Sequence, residues 1–152
     1  MLIFLSVAFL SLKREEVMRP SRDNIWMNFA TSISSRSYDP RHQVGAVIVT
    51  SDNTRVLAIG YNGNHSGGPN EPESLEPGKS GFIHAEINAL LKLDYNNPQY
   101  KIMYVTLSPC RMCAKAIINA GISEVVYIEE YRDTTSLELL RGAGIVVRKY
   151  DL

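Results

Sequence analysis

Apolar positions along the chain fall into two kinds of pattern, short continuous runs and stretches with helical spacing. Residues 44–50 are almost uninterrupted in apolar and small side chains, which is typical of a strand covered on both faces. Similar runs predict four further strands, over 55–60, 101–107, 124–128 and 145–148. Helical spacing predicts helices over 22–35, 84–93, 109–120 and 135–142. This alternation predicts an α/β protein with a three-layer α/β/α architecture around a five-stranded mixed sheet.

Local signals mark the ends of two of these helices. Ser21 is expected to cap the first helix, and its buried stripe is predicted to consist of Ile25, Trp26, Phe29, Ala30 and Ile33. Ser108 followed by Pro109 is expected to open the helix that ends at Gly121. Residues 62–81 lack periodicity and are rich in Gly, Pro, Asn and Glu, so they predict a long loop of the kind that usually carries function.

The first residues form an apolar run, 1–12, followed by a charged stretch, 13–16. The run is shorter than the roughly 20 residues that a membrane-spanning helix needs. It also lacks the basic start and the small-residue cleavage site of a signal peptide. We therefore expect residues 1–18 to be an extension with no part in the chemistry, residues 19–152 to form one domain, and the location to be cytoplasmic without a membrane partner.

Composition narrows the classes of function. The chain has 152 residues, and sixteen Lys and Arg balance sixteen Asp and Glu, so no global field attracts nucleic acid or an anionic membrane. No stable nucleic-acid partner is expected. The two cysteines, Cys110 and Cys113, are too close in sequence to staple a fold. A redox pair or a metal site in a reducing compartment fits them better.

Two short motifs, each at a predicted helix start, carry the candidate chemistry. They are His84-Ala85-Glu86 and the Pro109 to Cys113 segment, in which Cys110 and Cys113 are spaced i, i+3 and project from one helix face. The positive end of the helix dipole favours thiolates there. Together with the imidazole of His84 they make three ligands suited to zinc, with the fourth position open for water as in catalytic sites.

A carboxylate beside such a metal has a natural role. Zinc lowers the pKa of bound water from about 15.7 to roughly 7, and Glu86, two residues from a ligand, could carry the proton. The combination of H-x-E with P-C-x-x-C is the known signature of zinc deaminases. A lone Cys-x-x-Cys is more often a redox pair or half of a structural zinc site, but a thioredoxin-like pair would leave His84 and Glu86 without a function.

Through these residues the chain resembles the zinc-dependent cytidine and deoxycytidylate deaminase superfamily, over residues 22–150, and within it the deoxycytidylate (dCMP) deaminases. Four stretches carry the resemblance: 44–49 (VGAVIV), 60–63 (GYNG), 84–89 (HAEINA) and 103–122 (MYVTLSPCRMCAKAIINAGI). It implies a cytidine-deaminase-like fold and hydrolysis of dCMP to dUMP and ammonia, which feeds dTMP synthesis. In the implied mechanism zinc-activated water attacks C4 of cytosine, and Glu86 moves protons to N3 and to the departing ammonia.

The resemblance also implies residues for the substrate. The implied substrate-binding set is Asn62, Ala85, Ser108 and Tyr131, with Asn62 on the nucleoside and Tyr131 stacked on the base. Anions favour helix N-termini and Arg or Lys side chains, which leaves five candidates for the phosphate contact: Ser21, Arg22, Lys79, Arg111 and Arg132.

Regulation and assembly follow from the same resemblance. The Gly60, Tyr61, Asn62 and Gly63 segment implies an allosteric site in a hexamer, where dCTP activates and dTTP inhibits, with Mg²⁺ on the triphosphate. Its glycines would let the backbone approach phosphates closely. A second, structural zinc is not expected, and His42 and His65 are expected to be surface or loop residues.

Three alternatives stay open: a tRNA adenosine deaminase, a deaminase of another base or nucleoside, and a non-catalytic zinc-binding module.

Overall fold

The computed structural model describes residues 18–151, so the predicted extension lies almost entirely outside the described residues. The described part of the chain contains four helices and five strands. In chain order they are α1 (Arg22–Ser34), β1 (Gly45–Thr50), β2 (Val56–Tyr61), α2 (Ala85–Leu90), β3 (Lys101–Leu107), α3 (Arg111–Asn119), β4 (Ile122–Glu129), α4 (Thr135–Gly142) and β5 (Val146–Lys149). None of these helices is long and apolar enough to cross a bilayer.

The five strands form one mixed sheet in the order β2-β1-β3-β4-β5. β1 is antiparallel to both of its neighbours, β2 and β3, whereas β3, β4 and β5 run parallel to one another. Because β2 and β3 both oppose β1, they point the same way, and their carboxyl ends lie at the same edge of the sheet. The predicted five-stranded mixed sheet is confirmed.

Each face of the sheet is covered by helices. Val47 and Val49 of β1 pack with Met27 and Ala30 of α1 on one face, while Ile48 belongs to the larger core beneath the other helices. All six residues of β1 are buried, as the continuous apolar run predicts. The three-layer α/β/α prediction is therefore confirmed.

The buried stripe of α1 differs from the predicted one. Met27 and Ala30 are fully buried, whereas Ile25 is 46% exposed. Trp26, Phe29 and Ile33 are partly buried. Ala30 faces β1 closely, since a side chain on Gly45 would collide with its carbonyl oxygen. Ile25 lies five residues earlier, about 140° around the helix from Ala30, and so points away from the sheet.

The start of α3 also differs from the prediction. Cys110, not Ser108, is the N-cap, and its Sγ accepts a hydrogen bond from the backbone N–H of Cys113 at 3.5 Å. The reason is that the Ser108 hydroxyl is already engaged, since its Oγ accepts the N–H of Tyr131 at 2.7 Å. The helix therefore begins at Arg111 and not at Pro109, as the sequence predicts.

A polar cluster fastens α1 to the sheet. The carboxylate of Asp23 accepts hydrogen bonds from the Tyr104 hydroxyl at 2.6 Å and from the Arg148 guanidinium at 2.9 and 3.2 Å. These partners belong to β3 and β5, so three elements meet at one carboxylate. Hydrogen bonding to Arg148 holds the pKa of Asp23 below its ordinary value.

Candidate metal centre and active-site pocket

Two helix N-termini meet at one end of the molecule and bring the motif residues together. His84 is the N-cap of α2, and Cys110 is the N-cap of α3. In the chain, α2 comes after β2 and α3 comes after β3, and these two strands end at the same edge of the sheet. Ile83, the residue before His84, pairs with Gly63 in an isolated antiparallel bridge. This bridge holds the backbone in place just before α2 begins.

His84, Cys110 and Cys113 form a group that suits one metal ion. His84 Nδ1 lies 3.2 Å from Cys113 Sγ and 3.5 Å from Cys110 Sγ, and the ligand atoms of all three lie within 4.8 Å of one another. Zinc takes imidazole nitrogen at about 2.0–2.1 Å and thiolate sulfur at about 2.3 Å, so the donor set fits this ion. Among residues 18–151 no further Cys, His, Asp or Glu belongs to the group.

The electrostatics of the group favour a charged sulfur. Hydrogen bonding from the Cys113 thiol, reinforced by His84 and by the N–H of Cys113, lowers the pKa of Cys110 to about 4. The same contact with Cys110, together with burial, raises the pKa of Cys113. Hydrogen bonding to Cys110 raises the pKa of His84. Binding of zinc would displace the remaining protons, because this ion binds thiolates and neutral imidazole.

Glu86 lies beside this group and is almost completely withdrawn from solvent, with 4% of its surface exposed. Burial raises the pKa of its carboxyl to about 7. A carboxyl with such a pKa can both accept and release a proton near neutral pH, which is what a general acid and base requires.

Two of the three candidate ligands, His84 and Cys110, line a cavity of about 380 Å³ together with Glu86. The cavity is lined by all four residues that the sequence suggested for the substrate, Asn62, Ala85, Ser108 and Tyr131. Tyr131 is fixed by the hydrogen bond of its N–H to Ser108 Oγ, and the Arg132 guanidinium lies over its ring at 5.2 Å from the centroid.

The Asn62 side chain is already engaged by the protein. Its Oδ1 accepts the N–H of Val44 at 2.8 Å, and its Nδ2 donates to the carbonyl of His42 at 2.8 Å and to Asp39 Oδ2 at 3.2 Å. Both amide hydrogens are therefore used within the chain. A contact between Asn62 and a nucleoside stays a prediction.

Of the five phosphate candidates, Arg132 lines the cavity. The other four do not line it: Ser21 caps α1, Arg22 donates to the carbonyl of Asp52, Lys79 pairs with Glu76, and Arg111 donates to Thr135 Oγ1. Two cationic or titratable residues that the sequence did not suggest, Arg41 and His42, also line the cavity. They belong to an irregular segment without a motif, and no sequence signal separates them from ordinary surface residues.

A second cavity, of about 320 Å³, lies on the other side of Asn62 and Phe82, which line both cavities. Tyr61 and Gly63 line it as well, and the Arg36 guanidinium lies 5.9 Å from the Tyr61 ring centroid. His65 is exposed at its rim. Gly60 does not line it but packs against the backbone of α2.

Comparison with known proteins agrees with this site. Residues 20–129 match the family model described as the cytidine and deoxycytidylate deaminase zinc-binding region. This match covers most of the chain and includes His84, Glu86 and both cysteines. The chain therefore belongs to the zinc-binding cytidine and deoxycytidylate deaminase family, as its motifs indicate.

Within that family the chain is similar to deoxycytidylate deaminases. It is 39% identical over 146 residues to the deoxycytidylate deaminase of Saccharomyces cerevisiae, an alignment that covers 88% of this chain and 46% of that protein. It is 36% identical over 138 residues to the human deoxycytidylate deaminase, with 82% and 77% covered. The chain thus spans less than half of the yeast protein and about three quarters of the human one.

A solved structure extends the likeness to the fold. The dCMP deaminase of cyanophage S-TIM5, crystallised in complex with dCMP and dUMP, superposes with a TM-score of 0.75 at 34% identity. The match covers 88% of this chain and all of that one. The predicted cytidine-deaminase-like fold is confirmed.

Proposed function

We propose that the chain catalyses the hydrolytic deamination of dCMP, in which dCMP and water give dUMP and ammonia. The observation that carries the proposal is the convergence of His84, Cys110 and Cys113 beside the buried carboxyl of Glu86, at a cavity large enough for a nucleotide base. The names of the relatives support dCMP as the substrate, and so does the cyanophage enzyme's complex with dCMP and dUMP.

His84, Cys110 and Cys113 would hold the zinc ion. When bound, zinc supplies a water molecule of lowered pKa, which is a nucleophile at neutral pH. Glu86 would accept a proton from the attacking water and deliver it to N3 of the cytosine ring. It would then accept the remaining hydroxyl proton and pass it to the amine, which leaves as ammonia. The pKa of about 7 that burial gives Glu86 suits both directions of transfer.

Candidate partners for the base and for the phosphate both line the cavity. Tyr131, fixed by Ser108, offers an aromatic ring for the cytosine, and the backbone of Ala85 at the start of α2 lies next to the metal ligands. Arg132, Arg41 and His42 are the candidate partners for the 5′-phosphate, because they line the cavity and guanidinium groups bind phosphates with paired hydrogen bonds.

The test is a direct comparison of substrates. The purified protein, loaded with zinc, is incubated separately with dCMP, deoxycytidine, CMP and a tRNA, and ammonia release is followed. We expect release from dCMP above all others. Release from the tRNA alone would indicate a tRNA adenosine deaminase, and release from deoxycytidine alone a nucleoside deaminase. A zinc-loaded protein that releases ammonia from none of them would refute the dCMP proposal and leave a deaminase of another base or a non-catalytic zinc-binding module.

We further propose that the second cavity binds an effector nucleotide, with dCTP activating, dTTP inhibiting and Mg²⁺ accompanying the triphosphate. Support comes from its lining, in which Tyr61, Asn62 and Gly63 combine with the cationic Arg36. Asn62 and Phe82 separate this cavity from the first one, so an effector would lie close to the reaction. Hexameric assembly, a cytoplasmic location and supply of dUMP for dTMP synthesis remain predictions.

Regulation is tested by adding dTTP and Mg²⁺ to the dCMP assay. We expect a lower rate with the parent protein and a much weaker response with Arg36→Ala. A parent rate that ignores both dTTP and dCTP would refute the regulatory proposal and leave the deaminase proposal unaffected.

A further inference from the structure

An irregular segment of eight residues, 37–44, joins α1 to β1 and runs along the mouth of the active-site cavity. We call it the strap. Four of its residues, Asp39, Arg41, His42 and Val44, line the cavity. The Arg41 guanidinium also donates to the carbonyl of Leu75, which links the strap to the long loop on the other side of the mouth.

Asp39 is the centre of the hydrogen bonds that shape the strap. Its Oδ1 accepts the backbone N–H of Arg41 at 2.8 Å and that of His42 at 3.3 Å. Its own N–H donates to Ser37 Oγ at 3.1 Å. One carboxylate oxygen therefore fixes the backbone of both Arg41 and His42, the two strap residues proposed above as partners of the phosphate.

The other carboxylate oxygen fastens the strap to the sheet. Asp39 Oδ2 accepts a hydrogen bond from Asn62 Nδ2 at 3.2 Å, and Asn62 also binds the carbonyl of His42 and the N–H of Val44. Asn62 is 7% exposed and directly follows β2, so it is a rigid anchor. Since both oxygens of Asp39 have partners within the chain, Asp39 is unsuited to contact the substrate itself.

We propose that Asp39 is a positioning residue, which acts through Asn62 and the strap backbone to hold Arg41 and His42 where they bind the phosphate end of the substrate. This inference rests on the proposed deamination of dCMP. It assigns Asn62 a second task, the fastening of the strap, in addition to any contact with the nucleoside.

Asp39→Asn is the informative substitution because it keeps the shape of the side chain. The remaining Oδ1 can still accept the strap N–H groups, but an amide nitrogen then faces the amide nitrogen of Asn62, and two donors cannot bond to each other. We expect the strap to come away from Asn62 and Arg41 and His42 to lose their fixed positions. Misplacement by about 1 Å can cost up to about a hundredfold in kcat/KM.

The experiment measures kcat and KM for dCMP with zinc-loaded parent protein and variants. Interactions made equally in the bound substrate and in the transition state affect KM and leave kcat unchanged. We therefore expect Asp39→Asn to raise KM about tenfold or more, with kcat within about twofold and with unchanged zinc content. Asp39→Ser, which cannot reach Asn62, should behave alike and serves if Asp39→Asn does not fold.

A double-mutant cycle separates positioning from a general structural effect. In the Arg41→Ala, His42→Ala background, Asp39→Asn should raise KM by less than about twofold, because the side chains through which it acts are gone. Asp52→Asn is the matched control, since Asp52 also accepts a backbone N–H in a turn, at the opposite end of the β1–β2 hairpin. Its kinetics should equal those of the parent.

The outcomes separate the two proposals. A parent protein that does not convert dCMP refutes the proposed function. An active parent whose Asp39→Asn variant keeps its KM, loses kcat or zinc instead, or raises KM equally in the Arg41→Ala, His42→Ala background refutes the positioning role alone.

Discussion

The packing of Gly60 against α2 leads to a prediction about a residue that the sequence suggested for effector binding. Gly60 lies in β2, and a Cβ at this position would stand 2.5 Å from the backbone N of Ala89 and even closer to the carbonyl oxygen of Ala85. Both atoms belong to the backbone of α2, which cannot rotate aside as a flexible side chain can. Gly60→Ala must therefore push the helix away from the sheet.

The size of the effect follows from these distances. Ordinary contacts of a Cβ begin at 3.4 Å, so α2 has to move by about 1 Å. Overpacking of this kind costs about 1–3 kcal/mol of unfolding free energy. For a domain of this length that corresponds to a melting temperature lower by roughly 3–10 °C. Because α2 carries Ala85 and Glu86, we also expect turnover of dCMP to fall, by up to about a hundredfold.

The assay is thermal unfolding of zinc-loaded protein together with the dCMP rate. Gly63→Ala, in the same four-residue motif, is the matched control for stability, since a Cβ there meets no atom within 4 Å. Both substitutions restrict the unfolded chain alike, so the difference between their melting temperatures isolates the packing cost. Equal melting temperatures, with the parent's turnover in Gly60→Ala, would refute the reasoning.

Three further predictions concern the α1 cluster, the metal and the base. Asp23→Asn should cost about 1 kcal/mol of unfolding free energy at pH 7, because it breaks the ion pair with Arg148. Since Arg148 lowers the pKa of Asp23 from its ordinary value of 3.8, this stabilisation is complete above that pH and is lost as the pH falls through the lowered pKa. Melting temperatures of variant and parent should thus converge in acid, and a constant difference would contradict the assignment. Cys110→Ala should bring zinc per chain, measured by atomic absorption, well below one, and full occupancy would refute its role as a ligand. Tyr131→Leu should lower kcat/KM for dCMP by about 5- to 150-fold if the ring stacks on the base, and parent-like kinetics would exclude stacking.

The elements and the metal ligands could be predicted because their signals are local. The strand runs and helix periods need only neighbouring residues, and each ligand lies at a helix start within a short motif. Cys110 and Cys113 share one helix turn, so their proximity follows from spacing alone. That His84, at the start of a different helix, joins the two cysteines was predicted only from the deaminase signature.

Features that depend on distant partners could not be predicted. Ser108 has the sequence of a helix cap, yet its hydroxyl binds Tyr131, which lies 23 residues further on. Asp39 and Asn62 are also 23 residues apart, and their hydrogen bond fastens the strap, which includes the cavity-lining Arg41. Gly60 was suggested for the approach of phosphates in an effector site, but the close approach of α2 is what requires a glycine there.

The proposed function requires that His84, Cys110 and Cys113, together with the adjacent Glu86, form a deamination site for dCMP. The most direct measurement is ammonia release from dCMP by zinc-loaded parent protein and by zinc-loaded Glu86→Gln, side by side. The parent should release ammonia and the variant should be at least about a hundredfold slower with the same zinc content, as loss of a general acid and base requires. Equal rates in the two proteins, or no release by a fully zinc-loaded parent, would contradict the claim.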